Sequence, residues 1–177
     1  MSSRTLLVMP DDTGKPLLDA LDGARKSIRI KIFLFSDPSL LAAVIAAHQR
    51  GVKVRVMLNP ARRGGEPENE ATRKALEEAG VEVADSNPAI DITHEKSLVV
   101  DDETAFIQSL NWETKNLTQT RDYAVVTSHR HEVEEVIACF DADWERKPFD
   151  PGQESHLIWC NINGRNRVAR FIDQATE

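Results

Sequence analysis

The chain has 177 residues, a net charge of −7 and 41% hydrophobic residues, values that are ordinary for a globular protein with one substantial core. No stretch approaches the ~20 apolar residues of a membrane-spanning helix, so we expect neither a transmembrane segment nor a signal peptide, and a cytoplasmic location. The acidic charge argues against tight nonspecific binding to nucleic acid, although a local basic groove would still allow a nuclease. Cys139 and Cys160 lack metal-ligand spacing. We therefore expect two buried thiols and no metal site.

Strands and helices alternate through the first half of the chain. Hydrophobic periodicity predicts a strand over 5–9 and then a helix with Leu17 and Leu21 on its core face. Further strands are predicted over 27–35, 52–58 and 81–84, and further helices over 37–51 and 70–79. The core face of the helix over 37–51 is predicted to comprise Leu41, Val44, Ile45 and His48.

Three basic residues in this half are possible substrate contacts. Lys31 alternates with isoleucines in the strand over 27–35, and a solvated strand face is the favoured interpretation for it. Arg62 and Arg63 follow the strand over 52–58. Loops at the carboxyl ends of strands often line the ligand crevice of an α/β sheet. A phosphate contact and a solvated loop are about equally compatible with these two arginines.

The most informative stretch runs from residue 93 to residue 122. Val99 lies in a short apolar strand, a polar turn follows, and a second strand returns over 104–107. Such a hairpin places the residues before its first strand beside those after its second strand. His94 and Lys96 should therefore come close to Ser109 and Asn111, with each pair on one face of its strand.

These side chains are suited to attack on phosphorus. A neutral imidazole such as His94 is a good nucleophile and can form a covalent intermediate. Lys96 and Asn111 would supply a charge and an amide donor to the non-bridging phosphate oxygens. Asp122, at the start of the next predicted strand, is the candidate partner for the second imidazole nitrogen. The pattern predicts a phosphodiester site that needs no cofactor.

The spacing of His94, Lys96 and Asp101 (H-x-K-x-x-x-x-D), followed by Ser109 and Asn111, resembles the HKD motif of the phospholipase D superfamily. The resemblance extends over residues 6–144 in the order of elements. It implies that His94 is nucleophile or general acid, that Lys96 and Asn111 bind phosphate and that Ser109 supports the site. It also implies a hydrogen bond between Asp122 and the histidine and a structural role for Asp101.

One residue departs from the family pattern. The family often has Gly-Ser-x-Asn, and Gln108 stands here in place of the glycine. Its side chain would either crowd the phosphate or help to bind a head group.

The last part of the chain repeats an earlier pattern. Beyond Asp122 a strand over 123–127 and an amphipathic helix ending near Trp144 are predicted. Residues 156–177 then match residues 5–26 as strand, glycine-containing loop and helix, although any such unit resembles another. We expect a catalytic domain over 1–150, and over 151–177 a linker and the start of a second repeat.

The predicted fold is an α/β/α sandwich with a mixed central sheet. Enzymes that the chain resembles combine two HKD units in one active site, whereas this sequence has one His-x-Lys. The resemblance therefore implies a homodimer or a second HKD half elsewhere. We expect phosphodiester hydrolysis or transfer through a phosphohistidine, of phospholipase D or phosphatidyltransferase type, with a phospholipid substrate. The alternatives are a homodimeric endonuclease of the same superfamily and a non-catalytic half that binds or dimerises.

Overall fold

A computed structural model describes residues 3–60 and 67–175. In these residues seven strands form one sheet: β1 (Arg4–Met9), β2 (Ser27–Ile32), β3 (Lys53–Leu58), β4 (Glu82–Asp85), β5 (Ser97–Val100), β6 (Thr104–Gln108) and β7 (Asp122–Thr127). The helices are α1 (Lys15–Gly23), α2 (Pro38–Gln49), α3 (Glu70–Glu78), α4 (Thr114–Thr118), α5 (Arg130–Trp144) and α6 (Arg165–Asp173), with a π-helical turn (Cys160–Gly164) before α6.

The sheet is mixed, with the strand order β1-β7-β6-β5-β2-β3-β4. β2, β3 and β4 pair in parallel, and all the other neighbours pair antiparallel. The end of β2, the start of β5, the end of β6 and the start of β7 therefore meet at one end of the sheet. This arrangement confirms the predicted α/β fold with a mixed sheet.

Two apolar clusters hold helices against the two faces of the sheet. On one face Leu17 of α1 and Leu40 of α2 pack with Ile30 of β2. On the other face Val133 and Val136 of α5 pack against β5 and β6. Alternation along each strand assigns neighbouring residues to opposite faces.

The α2 face is shifted by one residue from the predicted one. The buried residues are Leu40, Ala43, Val44 and Ala47. Leu41, Ile45 and His48 are only partly buried. Asp37 caps this helix by accepting the backbone N–H groups of residues 39 and 40. The sequence pattern could not separate two adjacent apolar stripes because α2 is apolar on most of its circumference.

Lys31 is not on a solvated face, and the prediction for it is wrong. Its side chain is 1% exposed. α5 covers this face of β2, and its C-terminal turn brings Asp143 to 2.7 Å from the Lys31 ammonium nitrogen. The polar alternation in β2 reflects an ion pair beneath a helix and not contact with water.

The tail differs from the prediction in one element. No strand forms over residues 156–160, whereas the predicted helix is present as α6. Glu135 of α5 instead accepts the backbone N–H of Leu157 at 3.2 Å and the indole N–H of Trp159 at 3.1 Å. Cys160 is exposed because it begins the surface π-helical turn, so only Cys139 is the buried thiol that we expected. The division into a catalytic domain and the start of a second repeat stays a prediction.

Candidate active site

The hairpin of β5 and β6 brings the two halves of the motif together. The backbone N–H of Gln108 donates to the carbonyl of Lys96 at 2.9 Å, which places Lys96 opposite the end of β6. Ser109 follows directly, and its own N–H bonds to the carbonyl of Tyr123 at the start of β7. His94, Lys96, Ser109, Asn111 and Asp122 therefore lie at the same end of the sheet, as the sequence predicts.

Asp122 is held by a ring of neutral donors. It accepts hydrogen bonds from Ser109 Oγ at 2.8 Å, from Thr120 Oγ1 at 2.5 Å and from Asn116 Nδ2 at 3.1 Å. Burial acts to raise the pKa of Asp122, but these hydrogen bonds and the Lys96 charge outweigh it, and the pKa is lowered. The carboxylate therefore stays ionised beside Lys96.

The expected hydrogen bond between Asp122 and His94 is not among the contacts of residues 3–60 and 67–175. Ser109, Thr120 and Asn116 surround the carboxylate instead. Sequence spacing identified the carboxylate but could not identify which donors it would meet. Asn116 in the short helix α4 and Thr120 just after it are site neighbours that the sequence analysis missed.

His94 is an exposed imidazole in front of an aromatic ring. Its ring centroid lies 4.7 Å from that of Phe33, which follows β2. Burial, and secondarily the Lys96 charge, lowers the pKa of His94. The neutral imidazole required of a nucleophile is therefore the dominant form at neutral pH. Phe33 was predicted only as part of a strand, and no local signal marked it as a wall of the site.

Lys96 is buried, and its ammonium is poorly compensated. The residue is 4% exposed, and Nζ donates to the carbonyl of His94 at 2.7 Å. Nζ also lies 5.1 Å from the centroid of the Phe33 ring. Burial lowers the pKa of Lys96 to about 8, although Asp122 acts to raise it. A phosphate anion would relieve this deficit because it would bring negative charge to the ammonium.

Asn111 and Gln108 carry buried polar atoms without partners. Asn111 Nδ2 has a long contact of 3.4 Å with Glu113, while its Oδ1 is buried and unpaired. Gln108 Oε1 accepts the indole N–H of Trp112 at 3.2 Å, while its Nε2 is buried and unpaired. These atoms lie in or next to the loop that follows β6.

Asp101 lies at the opposite end of β5 from His94. Its carboxylate accepts the backbone N–H groups of residues 25, 26 and 27 at 2.6–3.1 Å. Burial acts to raise the pKa of Asp101, but these hydrogen bonds outweigh it, and the pKa is lowered. The contacts support the structural role predicted for Asp101, since they join the β5–β6 turn to the start of β2.

Behind the motif, Glu95 faces the other side of the sheet. Its carboxylate lies 3.0 Å from Lys31 Nζ and accepts the Ser97 hydroxyl at 2.7 Å. Lys31 also reaches Asp143, which accepts the Asn87 amide at 3.1 Å. Glu95, which lies between His94 and Lys96, is thus anchored to the buried ammonium of Lys31, a connection that the sequence analysis missed.

A cleft opens beside the segment that carries His94. Asn59 Oδ1 accepts the backbone N–H of Thr93 at 3.3 Å, and Asn59 is also part of the wall of a cavity of about 300 Å³. Asp85, Asn87, Ile90 and Arg146 are among its other lining residues. Arg62 and Arg63 lie outside the described residues. In the part of the chain that the structure describes, no cluster of three or more His, Cys, Asp or Glu side chains could hold a metal ion.

Comparison with known proteins agrees with this architecture. A family model described as cardiolipin synthase, PLD-like domain, matches residues 17–144. The chain belongs to the phospholipase D family. Human mitochondrial cardiolipin hydrolase is 33% identical over an alignment of 153 positions, which covers 79% of this chain and 56% of that protein. The chain thus spans about half the length of the curated relatives that it matches first.

Solved structures of other proteins show the same fold. Nuc from Salmonella typhimurium, a phospholipase D family member, superposes with a TM-score of 0.72 at 25% identity, covering 82% of this chain and 96% of Nuc. Polyphosphate kinase from Porphyromonas gingivalis superposes with a TM-score of 0.77 at 19% identity. That match covers 96% of this chain and 30% of the kinase, and it supports the fold alone.

Proposed function

We propose that this phospholipase D family chain cleaves or transfers phosphodiesters through a covalent intermediate on His94. The observation that carries the proposal is the meeting of a neutral imidazole with a buried, under-compensated ammonium at one end of the sheet. Lys96 is the anion-binding group and His94 is the adjacent nucleophile. This pair suits an anionic substrate whose phosphorus is attacked.

Each remaining residue of the motif has a distinct part in the proposed reaction. Asn111 donates Nδ2 to a non-bridging oxygen, a step that exchanges its long contact with Glu113 for a charge-assisted bond. Asp122 balances the Lys96 charge and, through Ser109, fixes the loop that follows β6. In the first step the imidazole nitrogen bonds to phosphorus, and the P–O bond to the leaving group breaks. In the second step water or an alcohol displaces the imidazole.

The leaving oxygen needs a proton, and we propose that a second histidine supplies it. The chain has a single His-x-Lys. A second copy of the chain that brings its own His94 to the site would supply this proton. A second HKD half in a longer chain would do the same.

A phospholipid is the proposed substrate class. The relatives that match at 30–33% identity include cardiolipin hydrolases, and the net charge of −7 opposes nonspecific binding to nucleic acid. The helices within residues 3–60 and 67–175 include none with the length and hydropathy of a membrane span. The cytoplasmic location stays a prediction, and the names of the cardiolipin hydrolases describe them as mitochondrial.

The test is hydrolysis of a chromogenic phosphodiester in the presence of EDTA, followed over a range of chain concentrations. We expect specific activity that rises with concentration and then saturates, because two copies must combine. His94→Ala should abolish turnover without changing the unfolding midpoint. The matched control is His131→Ala, since His131 is an exposed histidine on α5.

Different outcomes separate the alternatives. Faster cleavage of cardiolipin vesicles than of DNA or RNA supports the lipid assignment, and the reverse preference supports an endonuclease. Binding of vesicles without turnover at any concentration supports a non-catalytic half. Full activity in His94→Ala would contradict the assignment of the nucleophile.

A further inference from the structure

Gln108 is the last residue of β6, and its side chain lies on the same face of the sheet as that of Lys96. The two residues are cross-strand neighbours, joined by the hydrogen bond from Gln108 N–H to the Lys96 carbonyl at 2.9 Å. Side chains of directly opposed residues in an antiparallel pair lie side by side. On the other side of Gln108 the paired residue is the small, buried Ala124.

Trp112 determines which way the Gln108 amide points. An indole N–H can only donate, so the atom that it contacts at 3.2 Å must be the carbonyl oxygen of the glutamine. Trp112 is itself 0% exposed and packs edge-on against Phe35, with ring centroids 4.9 Å apart. The donor is therefore fixed by core packing, and the NH₂ group of Gln108 is turned away from it.

That NH₂ group is buried and has no hydrogen-bond partner. Leaving a buried donor without a partner is unfavourable, and a ligand oxygen that accepted from it would remove that cost. The same loop carries Asn111, whose Oδ1 is also buried and unpaired. Gln108 lies directly opposite Lys96 at the end of β6. Its unpaired donor is therefore at the end of the sheet where the phosphoryl group would bind.

We propose that Gln108 Nε2 donates a hydrogen bond to a non-bridging oxygen of the substrate phosphoryl group, with Trp112 as the positioning residue. This inference rests on the proposed function of the site. In the family pattern a glycine often occupies this place, so the extra donor is a property of this chain. A neutral amide keeps its protons at every working pH, unlike Lys96, whose pKa is lowered to about 8.

Gln108→Glu is the decisive variant. It preserves the side-chain volume and an oxygen for Trp112, but replaces the NH₂ donor with an anionic oxygen. Gln108→Met preserves the length of the side chain and removes both polar atoms. We expect kcat/KM on the chromogenic phosphodiester to fall by ~10²-fold in Gln108→Met, because one donor to the transition-state oxyanion is lost. The loss should be larger in Gln108→Glu, because the carboxylate repels the substrate.

Two further variants distinguish this role from a packing role. Trp112→Phe keeps Gln108 but removes the indole N–H that orients its amide, so we expect a smaller loss of kcat/KM than in Gln108→Met. Gln119→Met is the matched control, since Gln119 is an exposed glutamine at the end of α4, and it should behave like the wild-type chain. Inhibition by dimethyl phosphate should weaken in parallel with kcat/KM, whereas the unfolding midpoint of Gln108→Glu should stay close to that of the wild type.

The outcomes separate failure of this inference from failure of the proposed function. If His94→Ala is inactive but Gln108→Met and Gln108→Glu retain wild-type kcat/KM and wild-type inhibition by dimethyl phosphate, Gln108 does not contact the phosphoryl group. If the losses in these two variants only follow their unfolding midpoints, the role of Gln108 is structural and the inference is overturned. If His94→Ala is as active as the wild type, or the wild type neither turns over substrate nor binds dimethyl phosphate, the proposed function fails and this inference fails with it.

Discussion

Replacing Lys31 tests how the His-x-Lys segment is supported from behind. Lys31 is 1% exposed, and its ammonium lies 2.7 Å from Asp143 and 3.0 Å from Glu95. Burial acts to lower the pKa of Lys31, but the neighbouring negative charges outweigh it, and the pKa is raised. Lys31→Met would leave both carboxylates without their cation, at a place that α5 shields from water.

The cost of this change can be worked out from the exposure of the two carboxylates. Breaking a buried ion pair by removing one partner typically costs about 3–5 kcal/mol. Glu95 is 28% exposed and can regain water, whereas Asp143 is 9% exposed and keeps the hydrogen bond from the Asn87 amide. We therefore expect the lower end of that range, about 3 kcal/mol. For a chain of this size such a loss lowers the melting temperature by about 6–12 °C.

Urea unfolding of purified variants measures the effect directly. Lys15→Met is the matched control, because Lys15 forms an exposed pair with Asp19 whose side chains are 74% and 61% exposed, and such pairs contribute less than about 1 kcal/mol. The double variant Lys31→Met/Asp143→Leu should recover most of the loss, since it removes the buried charge as well as its partner. If Lys31→Met unfolds at the same urea concentration as Lys15→Met, the cluster does not stabilise the fold and the reasoning is refuted.

Three further results are expected. In Asp101→Asn the free energy of unfolding should fall by about 1.5–3 kcal/mol at neutral pH. Because the folded pKa of Asp101 is lowered, its stabilisation is present above about pH 4 and is lost as the pH falls through the folded pKa. The difference from wild type in urea unfolding should therefore shrink in acid. The value of kcat/KM should fall on the acid side, below the ordinary pKa of histidine, as His94 is protonated, and on the alkaline side near pH 8 as Lys96 loses its proton. Lys96→Arg should remove the alkaline limb and lower kcat/KM at every pH. An unchanged alkaline limb would exclude Lys96 as its source. Glu135→Ala should release residues 155–164, seen as faster amide exchange there, with unchanged turnover in a saturated assay; unaltered exchange would mean that Glu135 does not hold the tail.

The parts of the site that are local in sequence could be predicted, because a hairpin fixes its own geometry. Lys96 and Gln108 are paired by the β5–β6 turn, and the period of two along a strand assigns their faces. Asp122 could be placed at the start of β7 for the same reason. Which donors surround Asp122 depends on the course of the α4 segment, and a five-residue helix such as α4 has too little periodicity to be predicted.

The parts that failed depend on contacts between distant segments. Lys31 and Asp143 are 112 positions apart, and alternation in β2 cannot distinguish a face covered by water from one covered by α5. The tail residues 156–160 are apolar enough for a strand, but no neighbouring edge pairs with them in the described structure, and Glu135 satisfies part of their backbone instead. Secondary structure there is decided by tertiary partners and not by local preference.

The central claim is that His94 becomes covalently phosphorylated during turnover. We would mix the chain with excess phosphodiester, quench it in alkali, where phosphohistidine survives, and measure the mass of the intact chain and of the peptide that contains residue 94. The account predicts a mass increase equal to the transferred phosphoryl moiety on His94, absent from His94→Ala and present in His131→Ala. Rapid turnover by a wild-type chain that carries no adduct, with equal turnover by His94→Ala, would contradict it.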